Sequence, residues 1–329
     1  MPKAPRNFLV LLSILTASLP ASLAWSQATN AAPAAAPSSA TDDMTKGADF
    51  GSHGDLDGAI TAFTAAINAD PTLAIAYTKR GMALALQHKF TEALADLDKA
   101  IQLDPKEQEA YYQRGSVKGE KGDFDGALAD FNQAIELAPG YAMAFYNRGH
   151  VKYFKGDLKG ALDDLNQAIT LNPKHAPSYW MRGVVQLAQS DHAAALADFK
   201  ESLKDGFTYG AYWLWIVQTE DGDGAIARNN LEVASANTGM FKPDDWPTDL
   251  VNFLIGKLPQ DQLMARAKAG GDDTQARLCE AWFYIGMTNR FLGDAKTAKD
   301  DFQQAIDTGS IQSEEWVEAK RQLALIQSE

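Results

Sequence analysis

The sequence predicts an all-α, right-handed solenoid of helical hairpins, and three observations predict it. Pro71, Pro105, Pro139 and Pro173 stand thirty-four residues apart. Arginine and glycine recur in the same register, at Arg80-Gly81, Arg114-Gly115, Arg148-Gly149 and Arg182-Gly183. Alanine does so too, at Ala93, Ala127, Ala161 and Ala195. Within each period the apolar residues fall three or four apart, the spacing of one helix face. A turn signal divides the period in two, most clearly at Gly54-Asp55, Gly122-Asp123 and Gly156-Asp157. A single hairpin of this kind buries only part of its apolar surface, so successive hairpins stack.

The elements follow in chain order. Residues 1–24 read as a secretory signal. Lys3 and Arg6 open it, Phe8 to Leu19 is an apolar run short for a bilayer span, and Ser22 and Ala24 supply a cleavage site, with Ala28 a second one. Residues 25–40 form a linker, since Ala28 to Ala40 is almost wholly Ala, Pro, Ser and Thr. Residues 41–205 hold five tandem units. In four of them an aromatic leads (Tyr77, Tyr111, Phe145, Tyr179), and a large apolar residue fills the second half (Leu97, Phe131, Leu165, Phe199). The first unit keeps Gly47, Phe50, Ala59, Phe63 and Ala66, with Asp43 in place of the leading aromatic. Between 206 and 278 the period fails and an irregular helical insertion is expected, with helices over Tyr209–Val217, Ala225–Ala236, Asp249–Gly256 and Gln260–Ala269. Residues 279–329 restore one unit, through Trp282, Gly286, Ala298, Phe302 and Ala305. A capping helix over Glu314–Ile326 follows, with Trp316, Ala319, Leu323 and Ile326 on one stripe.

These residues resemble the tetratricopeptide repeat family, whose pattern is an aromatic, glycine, alanine, an aromatic or leucine, alanine and proline over thirty-four residues. The resemblance implies a concave groove lined by the first helix of each unit. A second resemblance lies in the C-terminal half. The line Trp246, Asn252, Phe253, Leu254, Gly256, Leu263-Met264, Glu280, Phe283, Tyr284 and Gly286 is similar to NlpI-type envelope lipoproteins. It implies a dimeric periplasmic adaptor for peptidoglycan hydrolases and the protease that degrades them. The lipobox cysteine of that family is absent here, so the expectation is a protein without a membrane anchor, exported to the periplasm of a Gram-negative bacterium.

Composition narrows the function classes. The chain carries a formal charge of −13, and removing residues 1–24 makes it about −15. Nucleic acid is thereby disfavoured, since phosphate attraction needs clustered Lys and Arg. Partners with basic or apolar docking surfaces fit better. The single cysteine, Cys279, excludes an internal disulfide and reads as a small buried residue.

Two constellations recur with the period. Arg80, Arg114, Arg148 and Arg182 are each followed sixteen residues later by an aspartate, at Asp96, Asp130, Asp164 and Asp198. Opposite charges at both places predict an inter-helical ion-pair ladder, with each arginine also in reach of the preceding unit's aspartate. On the first helices, Tyr112, Gln113, Tyr146, Asn147, His150, Tyr153 and Trp180 form the candidate partner-binding groove. Aromatic side chains with polar tips anchor peptides well, and the same recurrence equally fits packing between neighbouring first helices. Gly222-Asp223-Gly224 resembles a dinucleotide turn by letter only, because Glu220, Asp221 and Asp223 would repel a pyrophosphate. No cofactor, metal set or catalytic set is expected from the five histidines, the serines or the lone cysteine. The function expected is a non-enzymatic scaffold. An envelope assembly factor and an enzyme with its site in 206–278 are the alternatives.

Overall fold

A computed structural model of the chain describes residues 38–328, apart from 205–206, 237–240, 243–244 and 312. The signal and most of the linker lie outside the described residues. Those residues hold seventeen α-helices and one 3-10 turn, with no strand among them. They fall into two compact units, one ending at Val151 and the other running from Lys152.

The first unit contains three hairpins. They are α1 (Ser38–Ser52) with α2 (Leu56–Ala69), α3 (Ala74–Leu86) with α4 (Phe90–Leu103), and α5 (Gln108–Glu120) with α6 (Phe124–Leu137). Most of α7 (Ala142–Phe154) completes it. Each hairpin packs on the next through its first helix, and α3 also packs directly on α5. The reason is legible in single residues. A Cβ at Gly47 would come within 2.5 Å of the Phe63 ring, and one at Gly115 within 2.9 Å of Phe131, so glycine admits the facing aromatic. Phe63 and Phe131 are wholly buried, each worth about 2–3 kcal/mol of removed apolar surface. At the bends, Asp55 and Asp123 accept from the backbone N–H groups of Gly58 and Gly126, capping α2 and α6.

The turns keep the period in backbone form. Positive φ occurs at Gly54 (77°), His88 (59°), Gly122 (79°), Gly156 (82°) and Ser190 (63°), every thirty-four residues. Two of these positions use a residue other than glycine, at a steric cost of about 1 kcal/mol each.

The second unit comprises the end of α7, then α8 (Leu158–Leu171), α9 (Ala176–Ala188) and α10 (His192–Leu203). The expected insertion begins as another hairpin. Helices α11 (Tyr209–Glu220) and α12 (Gly224–Ser235) pack together around Gly222, where φ is 88°. Its turn comes two residues early relative to the preceding ones, which breaks the strict thirty-four-residue period there. Next come α13 (Trp246–Leu254) and α14 (Gln260–Lys268), which pack on α15 (Thr274–Phe291). Helix α15 pairs with α16 (Ala295–Asp307), and α17 (Glu314–Ser328) ends the chain. Cys279 is buried on α15 and bears a free thiol that burial pushes up to about 12.

One expectation about α17 is corrected. Of the stripe Trp316, Ala319, Leu323 and Ile326, only Ala319 is fully buried, and the buried side is instead Glu315, Glu318, Ala319 and Gln322. The helix is turned by its polar partners, which lie on α11 and α15.

Candidate functional site

The seven candidate groove residues are buried, none more than 7 % exposed. That burial accords with the packing alternative. First helices touch directly where α3 meets α5 and α9 meets α11. The polar tips are used internally. Asn147 donates to the Tyr112 hydroxyl at 3.1 Å and to Ser116 at 3.4 Å. Gln113 donates to Glu109 at 2.7 Å, and the Tyr141 hydroxyl donates to the other oxygen of that carboxylate at 2.7 Å. Burial pushes the Tyr112 hydroxyl well above its ordinary range, so it remains protonated. His150 stacks on Tyr146 with ring centroids 6.2 Å apart. Trp180 lies 5.4 Å from the Phe207 ring and 5.8 Å from Tyr209. Tyr153 is also buried, facing acidic groups of α17.

The arginines make an ion-pair frame. Arg80 binds Asp96 through Nε at 2.7 Å and Nη2 at 2.8 Å. Arg114 binds Asp130 at 2.9 and 2.7 Å, and Arg182 binds Asp198 at 2.7 Å through both nitrogens. The third nitrogen reaches the residue sixteen positions earlier. That residue is Thr64 for Arg80, Asp98 for Arg114, Asn132 for Arg148 and Asn166 for Arg182. The backward partner is thus two residues beyond the preceding unit's aspartate. Lysines join the frame as well, Lys118 on Asp130 and Lys152 on Asp164, both at 2.7 Å. Each guanidinium also lies over the leading aromatic of its unit, 5.4 to 5.7 Å from the ring centroid. Hydrogen bonds to the aspartates push Arg80, Arg114 and Arg182 above their ordinary range. Such charges are held as structure, and their function is to fix one hairpin on the next.

In the second unit the inner face carries α17, which packs on α9, α15 and α16. Gln322, fully buried, donates to Glu220 of α11 at 3.0 Å and accepts from Arg290 of α15. Arg321 clasps Glu318 within α17 at 2.6 to 2.9 Å. The Trp316 indole donates to the Ile306 carbonyl at 2.9 Å. Beneath the start of α17, Glu280 accepts from the Trp246 indole at 2.5 Å. Burial raises Glu280 to about 7, and burial together with Glu280 and Glu314 raises Glu315 as well. Rings of Tyr209, Tyr212 and Tyr284 surround this cluster, Tyr212 lying 6.0 Å from Tyr209 and 5.7 Å from Tyr284. Nothing in the sequence period pointed to this face, because its acidic members sit outside the repeats' recurring positions.

Models of tetratricopeptide repeats match residues 74–107, 115–155, 146–207 and 280–308. The chain is a tetratricopeptide repeat protein. Among solved structures, PilW, described as a type IV pilus biogenesis factor, is similar over 66 % of this chain and 99 % of its own, with 16 % identity and a TM-score of 0.59. YrrB, described as having an unusual peptide-binding site, matches 57 % of this chain and 95 % of its own at 25 % identity and a TM-score of 0.44. A tetratricopeptide repeat protein from Parabacteroides merdae matches 88 % of this chain and 99 % of its own at 19 % identity and 0.47. The first of these likenesses shows the fold.

A tetratricopeptide repeat protein is a protein-interaction scaffold, in a family that is generally non-enzymatic. Among the described residues no group of three or more His, Cys, Asp or Glu is arranged to hold a metal ion. No helix among them is long and apolar enough to cross a membrane.

Proposed function

We propose that this tetratricopeptide repeat protein is a non-enzymatic adaptor, exported to the periplasm, that holds partner proteins, with peptidoglycan hydrolases or their regulating protease as the client class. The observation that carries the scaffold reading is the stack of hairpins pinned by the arginine frame. It spends its recurrent charges on internal pairing, and a rigid support of that kind presents a surface without reorganisation. The charged, apolar and small-residue opening of the sequence supports export. The resemblance of the line Trp246 to Gly286 to envelope lipoproteins supports the client class. The negative charge supports clients with basic or apolar docking surfaces.

The test is capture from the envelope fraction with the purified chain, followed by a direct binding titration with each hydrolase recovered. Saturable binding of a cell-wall hydrolase supports the reading. Recovery only of secretion or pilus-assembly components shifts the function to envelope assembly, and recovery from the cytosolic fraction alone overturns the export claim. The mass of the secreted chain fixes the cleavage position.

A further inference from the structure

Three carboxylates are buried within the second unit beneath the start of α17: Glu280 on α15, and Glu314 and Glu315 on α17. They act on one another, since Glu314 raises Glu280 and both raise Glu315. Taking a carboxylate out of water is costly unless it meets donors or gives up its charge. Glu280 Oε2 accepts from the Trp246 indole at 2.5 Å, and its other oxygen receives no bond among the described residues. Arg277 offsets part of this charge, but its guanidinium lies 5.5 Å over the Trp246 ring and 4.0 Å from Asp273, a further carboxylate.

A second observation is independent of the acids. The Tyr284 hydroxyl is buried without a hydrogen-bond partner, and Glu315 and Glu280 are the charges that act on it most. It therefore borders the same space as the carboxylates while bonding to neither, which leaves room for a group that bonds to all three. Rings close the surroundings. Tyr212 lies 5.7 Å from Tyr284 and 6.0 Å from Tyr209, and Glu280 and Glu315 act on both Tyr209 and Tyr212. Acidic oxygens and an unpaired phenol among aromatic rings suit a cation that carries several N–H donors. Tyr209, Asp273 and Arg277 keep part of their surface open, so a small molecule reaches this space with α17 in place.

We propose that Glu280, Glu315 and Tyr284, surrounded by Tyr209, Tyr212 and Trp246, form a binding site for a small aliphatic amine in its ammonium form. The ammonium donates to the second oxygen of Glu280, to Glu315 and to the Tyr284 oxygen, while its methylenes lie against the rings. Burial beneath α17 restricts the ligand to a small molecule and excludes a polypeptide. The inference goes beyond the adaptor reading and does not depend on it.

The experiment is a calorimetric titration of the full chain with 1,4-diaminobutane in phosphate buffer. Saturable binding of one molecule per chain is expected at pH 8. Glu280 is raised to about 7 by burial, so at pH 6 it is mostly protonated and the ammonium meets a neutral acid; affinity should fall about tenfold between pH 8 and pH 6. Tetramethylammonium, which has the charge without the donors, should bind the native chain at least about tenfold more weakly. Tyr284→Phe removes only the hydroxyl and should weaken binding about fivefold. Glu280→Gln should weaken it at least about tenfold at pH 8 and abolish the difference between pH 8 and pH 6, a change that a merely structural role would not produce. No saturable binding of 1,4-diaminobutane to the native chain up to about 10 mM at pH 8 overturns the proposal. So does equal affinity for tetramethylammonium, or equal affinity at the two pH values, and these native-chain results decide the matter alone if a variant does not fold. Failure here with hydrolase capture intact removes this site and leaves the adaptor reading standing.

Discussion

Replacing Asp130 by alanine tests whether the arginine frame holds the stack. The Asp130 side chain is 5 % exposed and receives Arg114 and Lys118, whose side chains are 19 % and 24 % exposed. Its removal strands two cations beside the Gly115–Phe131 contact. Breaking a buried pair costs about 3–5 kcal/mol. Arg114 keeps Asp98 at 2.7 Å and the Tyr111 ring, and both cations retain some water, so the low end applies, about 3 kcal/mol. Asp98→Ala is the matched control. It removes a carboxylate from the same guanidinium, but one that is 63 % exposed, and should cost under about 1 kcal/mol. Hydrogen exchange by mass spectrometry reads both locally, which suits a repeat array whose unfolding need not be two-state. The expected result is exchange in α5 and α6 about a hundredfold faster in Asp130→Ala and less than about fivefold faster in Asp98→Ala. Equal effects of the two, or a change under about fivefold for Asp130→Ala, refute the claim that burial gives the inner aspartate its weight.

The other predictions concern backbone and burial. Gly115→Ala would place a Cβ 2.9 Å from the Phe131 ring and 3.2 Å from Asp130 Cβ, so it should lower stability by about 1–2 kcal/mol in urea melts. Gly140→Ala meets nothing within 4 Å and should be neutral or gain a few tenths of a kcal/mol. Ser190→Gly relieves a non-glycine φ of 63° and should stabilise by about 0.5–1 kcal/mol, read the same way. Glu280 faces Trp246, Arg277, Asp273, Glu314, Glu315, Tyr209, Tyr212 and Tyr284, and its folded pKa is raised to about 7 from 4.5. The native state therefore holds its proton more tightly than the unfolded chain. Stability is greatest from this group below about pH 4.5 and falls as pH rises toward 7, with the full cost above that. Glu280→Gln keeps an acceptor for the indole and should raise the melting temperature at pH 8 while leaving it nearly unchanged at pH 4.5; an equal shift at both pH values would count against the buried charge as the cause.

The hairpins were legible because their signals are local and repeated. Glycine opposite an aromatic, alanine at close approaches and a capping aspartate at most of the turns all point to one structure, and such agreement across levels specifies a fold. Helices α11 and α12 were expected, but as part of an irregular insertion and not as a further hairpin, because their turn shifts by two residues, enough to break a strict period while leaving the packing intact. The burial of the groove residues was illegible for another reason. Tyr112, Tyr146 and Trp180 recur on the first helices, and recurrence alone does not say whether a first helix faces solvent or the next first helix. The polar neighbours held the clue: Gln113 and Asn147 had partners at Glu109 and Tyr112, four and thirty-five residues away, which is what a closed interior requires of its polar atoms.

The orientation of α17 follows from the same accounting. Its sequence offers two sides, an apolar stripe through Trp316 and Ile326 and a polar one through Glu318 and Gln322, and amphipathicity alone selects the first. The seat selects the second, because Arg290 and Glu220 on neighbouring helices would otherwise be left facing an apolar stripe, and desolvated charge costs more than half-exposed leucine. A helix's buried face is thus set by the surface that receives it. Exchanges at the buried Glu318 test that ranking in the chain itself: Glu318→Gln should lower the melting temperature less than Glu318→Leu, and the reverse order would mean that apolar contact, not polar matching, governs the seat.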